Sequence, residues 1–258
     1  MYKESRFRIR PLEEIDDIID SAAAAYPFTR RVFLADGDAL IVRTDQLLHI
    51  IKHCYDAFPK LTRIGAYATP GDINRKSLEE LTALHQAGLK ILYTGIESGD
   101  DEVLRRVDKG NTAAEVTAAG QKALAAGMKL SAMILLGLGG KELSQQHALH
   151  TADVVNAMKP TMLSALTLII PQTVPLYEQV LAGTFTPLTA RGFLQELDLI
   201  LRHIDIDTPC IFRSNHVSNL YPINGTLPMD KPRMLEQLAY VIPYEDDKIP
   251  LLNDTGNF

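Results

Sequence analysis

Residues 77–100 read SLEELTALHQAGLKILYTGIESGD and contain a helix followed by a buried strand. Ser77 is a typical helix N-cap with acidic residues behind it, and Gly88 is suited to end the helix. The apolar run 89–96 has the character of a strand that is covered on both faces. Glycine and acidic residues follow at 97–100, where parallel α/β sheets carry their ligand-binding loops.

The same junction between helix and strand occurs twice, because AGLKI at 87–91 resembles AGMKL at 126–130. Alternating strands and helices predict a parallel sheet with helices outside it. Strands are predicted at 32–35, 63–68, 89–96, 128–136, 161–170 and 210–213, and helices at 11–26, 45–58, 77–88, 112–126, 141–158 and 189–204.

This pattern predicts an α/β fold whose sheet forms a partial, open barrel. A complete eight-unit barrel takes about 250 residues, and the last third of this chain has longer connections. The amphipathic helix at 11–26 has no strand-like segment before it, so the barrel is expected to lack its first strand. We expect one domain over 1–230 and a C-terminal extension over 231–258.

Composition limits the class of protein. The chain has 258 residues, of which 46% are hydrophobic and 22% charged, as in soluble globular proteins. No segment approaches the roughly 18 apolar residues of a membrane span, and no secretory signal is recognisable. The net charge of −6 disfavours nucleic-acid binding, and a cytoplasmic protein is expected.

Polar or glycine-rich loops follow the predicted strands, on the edge where such folds bind ligands. Their glycines, carboxylates and hydroxyls suit a nucleotide-like ligand with a cationic group. These loops are Asp36-Gly37-Asp38 and residues 68–72, 97–100, 137–140, 170–173 and 213–216.

The histidines do not predict a metal site. His49, His53 and His85 lie on predicted helices without an evident set of carboxylate partners, and solvated side chains are expected. His147 and His150 are three residues apart on one helix, but the sequence offers no third ligand.

Taken in order, these motifs resemble the radical S-adenosylmethionine (radical SAM) enzymes. The resemblance covers residues 1 to about 232. Its parts are the opening MYK…FRIRP at 1–11, DGD at 36–38, GIESG at 95–99 and ILLGLGGKE at 134–142, with a tail phrase FRSNHVSN at 212–219 and GTLP at 225–228.

The resemblance implies a partial (β/α)6 TIM-like barrel. It also implies a 4Fe-4S cluster that cleaves S-adenosylmethionine reductively to a 5′-deoxyadenosyl radical. It implies that Gly37 and Asp38 hold the methionyl amino group, where the family usually has Gly-Gly-Glu. It also implies that Glu97 and Ser98 meet the ribose hydroxyls. The predicted adenine frame comprises Leu135, Leu136, Gly137 and Ile170, and the predicted substrate-side residues are Arg213, Asn215 and His216.

The family's C-x3-C-x2-C cluster loop is absent from the chain. Cys54 and Cys210 lack ligand spacing and are interpreted as small buried apolar residues, so no metal ligand is predicted. The chain is therefore interpreted as an N-terminally truncated radical SAM oxidoreductase, or alternatively as a cluster-less barrel that binds S-adenosylmethionine or a nucleotide.

An aldolase-type or phosphate-binding barrel enzyme is disfavoured, because no lysine at a strand end and no phosphate loop is evident. The substrate is not assigned, although oxygen-independent coproporphyrinogen III oxidase is one activity within the family. The missing first strand would leave an N-terminal edge, so the chain is expected either to self-associate through that edge or to have a disordered N-terminus.

Overall fold

The computed structural model describes residues 8–35 and 37–244. Its strands are β1 (Arg31–Leu34), β2 (Arg63–Tyr67), β3 (Leu89–Glu97), β4 (Lys129–Leu136), β5 (Met162–Thr167), β6 (Cys210–Ser214) and β7 (Ile223–Leu227). Its α-helices are α1 (Leu12–Ala25), α2 (Thr44–Ala57), α3 (Pro70–Arg75), α4 (Leu78–Ala87), α5 (Asp101–Arg106), α6 (Ala113–Ala125), α7 (Gly140–Met158), α8 (Pro175–Leu181), α9 (Ala190–His203) and α10 (Lys231–Val241).

The seven strands form one sheet in the order of the sequence, with β1 and β7 at its two ends. Pairing is parallel from β1 to β2, β2 to β3, β4 to β5 and β5 to β6, whereas β6 and β7 are antiparallel. An open and mostly parallel sheet confirms the predicted α/β fold of a partial TIM-like barrel.

The chain divides into two compact units, and the divisions between them fall inside β3, α6 and β4. Of the described residues, unit 1 comprises 8–35, 37–93 and 122–129, and unit 2 comprises 94–121 and 130–244.

In unit 1, the core lies between the strands and the helices α2 and α4. Ile51 on α2, Ile64 on β2 and Leu81 on α4 are fully buried. Ser77 caps α4 in a capping box with Glu80, and Gly88 ends the helix at φ +129°, as the sequence predicts. Local capping thus determines where α4 stops and β3 begins.

In unit 2, α7 and α9 pack against each other, and α10 packs against α9 and β7. The core includes Leu163 on β5, Leu197 on α9 and Phe212 on β6, each at most 1% exposed. Of the predicted C-terminal extension, the structure describes residues 231–244. The boundary at residue 230 stays a prediction.

Three local predictions are wrong. Residues 70–72 were expected in a loop but begin α3, because the Thr69 hydroxyl accepts the Asp72 N–H and Pro70 suits a first helical position. The helix predicted at 45–58 begins one residue earlier, at Thr44, whose hydroxyl donates to Glu80. The strand β7 was missed because Asn224 and Gly225 are poor strand formers.

None of the described helices is long and apolar enough to cross a membrane.

We expect the protein to self-associate through the N-terminal side of unit 1. Within the described residues no strand pairs with the outer edge of β1, and unpaired edges are templates for another chain. Ile18 on α1 is 51% exposed and adds apolar surface. Light scattering after size exclusion should show dimers or larger species. Ile18→Lys should reduce their proportion. Ile41→Lys, at another exposed isoleucine, should leave it unchanged. A monomer at all concentrations would contradict the expectation.

Candidate functional site

In unit 1, Asp38 joins the loops after β1 and β2. Its carboxylate accepts hydrogen bonds from Leu40 N at 2.9 Å and Thr69 N at 2.7 Å, and it follows Gly37 at φ +100°. Burial raises the pKa of Asp38, and a hydrogen bond to Asp72 adds to the shift. The methionyl-amine role of Gly37 and Asp38 stays a prediction, and Asp36 lies outside the described residues.

Asp72 on α3 is the partner of Asp38 in this hydrogen bond. Burial alone would raise its pKa, but hydrogen bonds with Asp38, Thr69 and Arg75 lower it below the usual value. Asp72 lines a cleft of about 500 Å³ together with the start of α2. Lys76, also in the cleft, donates to the Val42 carbonyl at 2.8 Å. The cleft therefore combines fixed charges of both signs.

In unit 2, Glu97 ends β3 in a left-handed conformation with φ +58°. That conformation is uncommon for a residue with a side chain and costs of order 1 kcal/mol or more. A Cβ on Gly95 would lie 2.1 Å from Glu97 Oε1, so the glycine leaves room for the carboxylate. Lys109 Nζ donates to the same oxygen at 2.9 Å. The carboxylate is therefore held at the end of the strand.

Ser98 and Gly99 attach this turn to α7. The Ser98 hydroxyl is fully buried and lies 2.8 Å from His147 Nδ1, and it accepts the Asp100 N–H at 3.0 Å. A Cβ on Gly99 would lie 2.1 Å from the His150 carbonyl oxygen. The role predicted for Ser98 at a ribose stays a prediction, and the structure provides its hydroxyl with two protein partners.

Asp100 completes the attachment of the turn. Its carboxylate accepts Val103 N at 2.9 Å, which caps α5, and lies 2.6 Å from His150 Nδ1. Burial opposes ionisation, but hydrogen bonds from Val103 N, Gln146 and His150 lower the pKa of Asp100. His150 is thus engaged with a carboxylate that the sequence did not connect to it.

The loop after β4 is fixed by a residue that sequence analysis missed. Glu196 on α9 accepts Gly137 N at 2.6 Å and the Ser144 hydroxyl, and its side chain is fully buried. Gly137 has φ +82°, and a Cβ there would lie 2.3 Å from the Phe193 ring. Glu196 occupies a position three residues after Phe193 on the apolar stripe of α9, and a carboxylate in such a stripe is the signal that could have revealed it.

Glu196 faces His147 inside the core. Its Oε1 lies 3.7 Å from His147 Nε2, which has no hydrogen-bond partner. Burial raises the pKa of Glu196 to about 7 and lowers the pKa of His147 to about 4. Near pH 6 both groups are therefore neutral, as expected for a buried pair that cannot be hydrated.

The remaining predicted ligand residues lie in unit 2. Leu136 and Ile170 are buried, and Leu135 is half-buried. Arg213, Asn215 and His216 are exposed on β6 and the turn after it, where His216 Nδ1 lies 2.8 Å from the Ser218 hydroxyl. Their ligand and substrate roles stay predictions.

Asn219 connects two strands of unit 2, a role that the sequence did not predict. Its Nδ2 donates to the Ala165 carbonyl on β5 and to the Ser214 hydroxyl on β6, each at 2.7 Å. The strand ends of β5 and β6 are thus held by a side chain between them.

The chain's two cysteines do not fit an iron–sulfur cluster. Cys54 and Cys210 are at most 1% exposed. Burial raises the pKa of the Cys54 thiol to about 11 and that of Cys210 to about 12. A cluster requires thiolates that converge on it, so neither residue is a cluster ligand.

The family model of the radical SAM superfamily matches residues 2–152, more than half of the chain. The chain belongs to the radical SAM superfamily. This confirms the resemblance seen in the order of the strand-end motifs. No curated protein matches the sequence.

Solved structures of low sequence identity share the fold. The archaeal Elp3 of Methanocaldococcus infernus, with residues 1–46 deleted, is 13% identical at a TM-score of 0.57 over 91% of this chain and 59% of its own. Methylornithine synthase is 17% identical, with a TM-score of 0.55 over 78% of this chain and 55% of its own. Coproporphyrinogen III oxidase from Escherichia coli, a radical SAM enzyme, is 14% identical, with a TM-score of 0.52 over 85% of this chain and 59% of its own. The chain therefore spans 55–59% of the length of these relatives.

Glu196→Gln is expected to remove a loss of stability at neutral pH. Between the unfolded pKa of 4.5 and the folded pKa of about 7, only the native state holds the Glu196 proton. The wild type therefore loses stability relative to the variant as pH rises through that window, by up to about 3 kcal/mol. Urea unfolding at pH 5, 6, 7 and 8 measures the difference.

The exposed Glu236 on α10 provides the control, since Glu236→Gln should show no such pH-dependent difference. If the difference in unfolding free energy between the wild type and Glu196→Gln stays constant from pH 5 to 8, Glu196 is ionised in the native protein throughout, which would contradict the prediction.

Proposed function

We propose that this chain is the S-adenosylmethionine-binding part of a radical SAM oxidoreductase. The observation that carries the proposal is the conformation of Glu97 at the carboxyl end of β3. Strained non-glycine residues persist where the surrounding structure imposes them, and they cluster at ligand sites. A carboxylate held at a strand end suits the two hydroxyls of a ribose.

The neighbouring groups support this assignment. Lys109 orients the Glu97 carboxylate from one side, and its own charge is neutralised there. The turn at Ser98 and Gly99 is fixed to α7, so the carboxylate is positioned before a ligand arrives. Such preorganisation lowers the ordering cost of binding.

The other parts of the ligand are assigned by the family resemblance. Gly37 and Asp38 are proposed to meet the methionyl amino group. The loop that contains Leu135, Leu136 and Gly137, with Ile170, is proposed to frame the adenine. Support for the adenine assignment comes from Gly137, whose N–H donates a hydrogen bond to Glu196 and so constrains the backbone of this loop.

Radical SAM enzymes use a 4Fe-4S cluster to cleave S-adenosylmethionine to a 5′-deoxyadenosyl radical. Because Cys54 and Cys210 are unsuited as ligands, we propose that the cluster thiolates come from outside these 258 residues. The chain's own residues would then bind and orient the nucleoside.

A second candidate is a cluster-less protein that binds S-adenosylmethionine or a nucleotide without turnover. The burial of both thiols favours it, since nothing in the 258 residues supplies a thiolate at the strand ends. The two candidates share the nucleoside site and differ in whether a cluster is ever recruited to it.

Calorimetric titration with S-adenosylmethionine should detect weak binding that depends on Glu97. Removing a carboxylate paired with hydroxyls costs about 1.5–3 kcal/mol, so Glu97→Ala should weaken binding about 10- to 150-fold or abolish it. Glu97→Gly should weaken binding equally, while its thermal stability is retained because glycine accepts φ +58° without strain. Tight binding that neither substitution weakens would refute the placement of the ribose at Glu97. Glu236→Ala is the control and should bind as the wild type does.

Anaerobic reconstitution with iron and sulfide should leave the chain without a cluster. The reason is the lack of converging thiolates, because both cysteines are buried in the core. The measurement is iron content together with visible absorption. Stoichiometric iron with a brown chromophore would contradict the prediction and would favour neither form of the proposal.

A further inference from the structure

Two helices of unit 1 place carboxylates and imidazoles together on one surface. Asp16 and Asp20 are four residues apart on α1, and His49 and His53 are four residues apart on α2. Residues at that spacing share a helix face, and the two helices pack against each other. The sequence analysis expected solvated histidines without carboxylate partners; the packing of α1 on α2 supplies those partners.

The distances bring these groups close to one point. His49 Nε2 lies 2.9 and 3.1 Å from the two carboxylate oxygens of Asp16. His53 Nδ1 lies 4.0 Å from Asp16 Oδ1, while its Nε2 lies 2.8 Å from Asp20 Oδ1. The two imidazole rings are nearly parallel, with 17° between their planes and 6.2 Å between their centroids.

We propose that Asp16, His49 and His53 bind a divalent transition-metal ion of the zinc class. One ligand atom from each of the three lies within 4.8 Å of the others. Tetrahedral zinc with bonds of about 2.0–2.1 Å separates its ligand atoms by roughly 3.3 Å, so the contacts measured from Asp16 need to change by less than about 1 Å.

The chemistry of the donor set favours such an ion. Two imidazoles and one carboxylate match the ligands of zinc, whereas calcium and magnesium take oxygen ligands. His49 is 47% exposed at its side chain, so water has access to the fourth coordination position.

Asp20 supports the proposed site from behind. It faces His53 Nε2, which leaves Nδ1 of the same ring directed to Asp16 and the metal. A carboxylate that accepts the second ring N–H of a metal-bound histidine fixes its tautomer and raises its basicity. In His53, Nδ1 is therefore available to bind the metal, while Nε2 is held by Asp20.

Hydrogen bonding alone explains the arrangement less well. The Asp16 carboxylate is faced by both imidazoles, and exposed ion pairs of this kind contribute little to stability. A divalent ion would offset the charge of the two aspartates and join α1 to α2. Cys54, next to His53, is buried in the core and does not belong to the group of converging ligand atoms.

The test is calorimetric titration of zinc chloride into the full chain, prepared without a histidine tag and freed of metal by a chelator. We expect one ion per chain. His49→Ala, His53→Ala and the nearly isosteric Asp16→Asn should each weaken binding by at least 100-fold. Asp20→Asn should weaken it about 10- to 100-fold, the usual effect of an outer-shell partner. His203→Ala, at an exposed histidine on α9, should bind as the wild type does.

Cobalt(II) gives an independent readout, because a tetrahedral site with nitrogen ligands colours it more strongly than water does. Absent binding of zinc by the wild type at millimolar concentration would overturn the proposal and leave a hydrogen-bonded cluster. Undiminished binding by a His49→Ala/His53→Ala double variant would overturn it as well. Neither outcome bears on S-adenosylmethionine binding, which uses other residues.

Discussion

The buried hydrogen bond between Ser98 Oγ and His147 Nδ1 fixes the turn after β3. Both side chains are fully buried, so the bond cannot be exchanged for one with water without opening the core. The turn is further constrained by the contact between Gly99 and the backbone of α7. With this turn fixed, Glu97 is held in its strained conformation, and Asp100 is placed to cap α5.

The same histidine continues the network to the next strand end of unit 2. Glu196 faces His147 on one side and holds Gly137 N on the other, so the loops after β3 and β4 share one set of buried polar groups. A buried charge pair would be costly, and the opposite pKa shifts of the two groups keep both neutral near pH 6. The loops after β3 and β4 are thus connected through polar groups that lie inside the core of unit 2.

Unit 1 uses carboxylates in a comparable way. Asp38 joins the loops after β1 and β2 by accepting two backbone N–H groups, and a hydrogen bond links its carboxyl group to Asp72. The aspartates of α1 instead meet histidines of α2 near the surface. Cysteine has no such role in either unit, because Cys54 and Cys210 belong to the apolar cores. The chain thus belongs to the superfamily, but these two cysteines do not provide cluster ligands.

The sequence by itself determined the α/β class, most element positions, the cap of α4 and the strand-end loops, because periodicity and capping act over a few residues. Only the tertiary structure decided that Ser98 is buried, that Glu196 holds Gly137 and that Asp16 faces His49. Gly137 and Glu196, like Asp16 and His49, are separated by many residues along the chain. No local pattern encodes which parts of the chain meet. Burial, which sets the protonation of Glu196, likewise exists only after the core has formed.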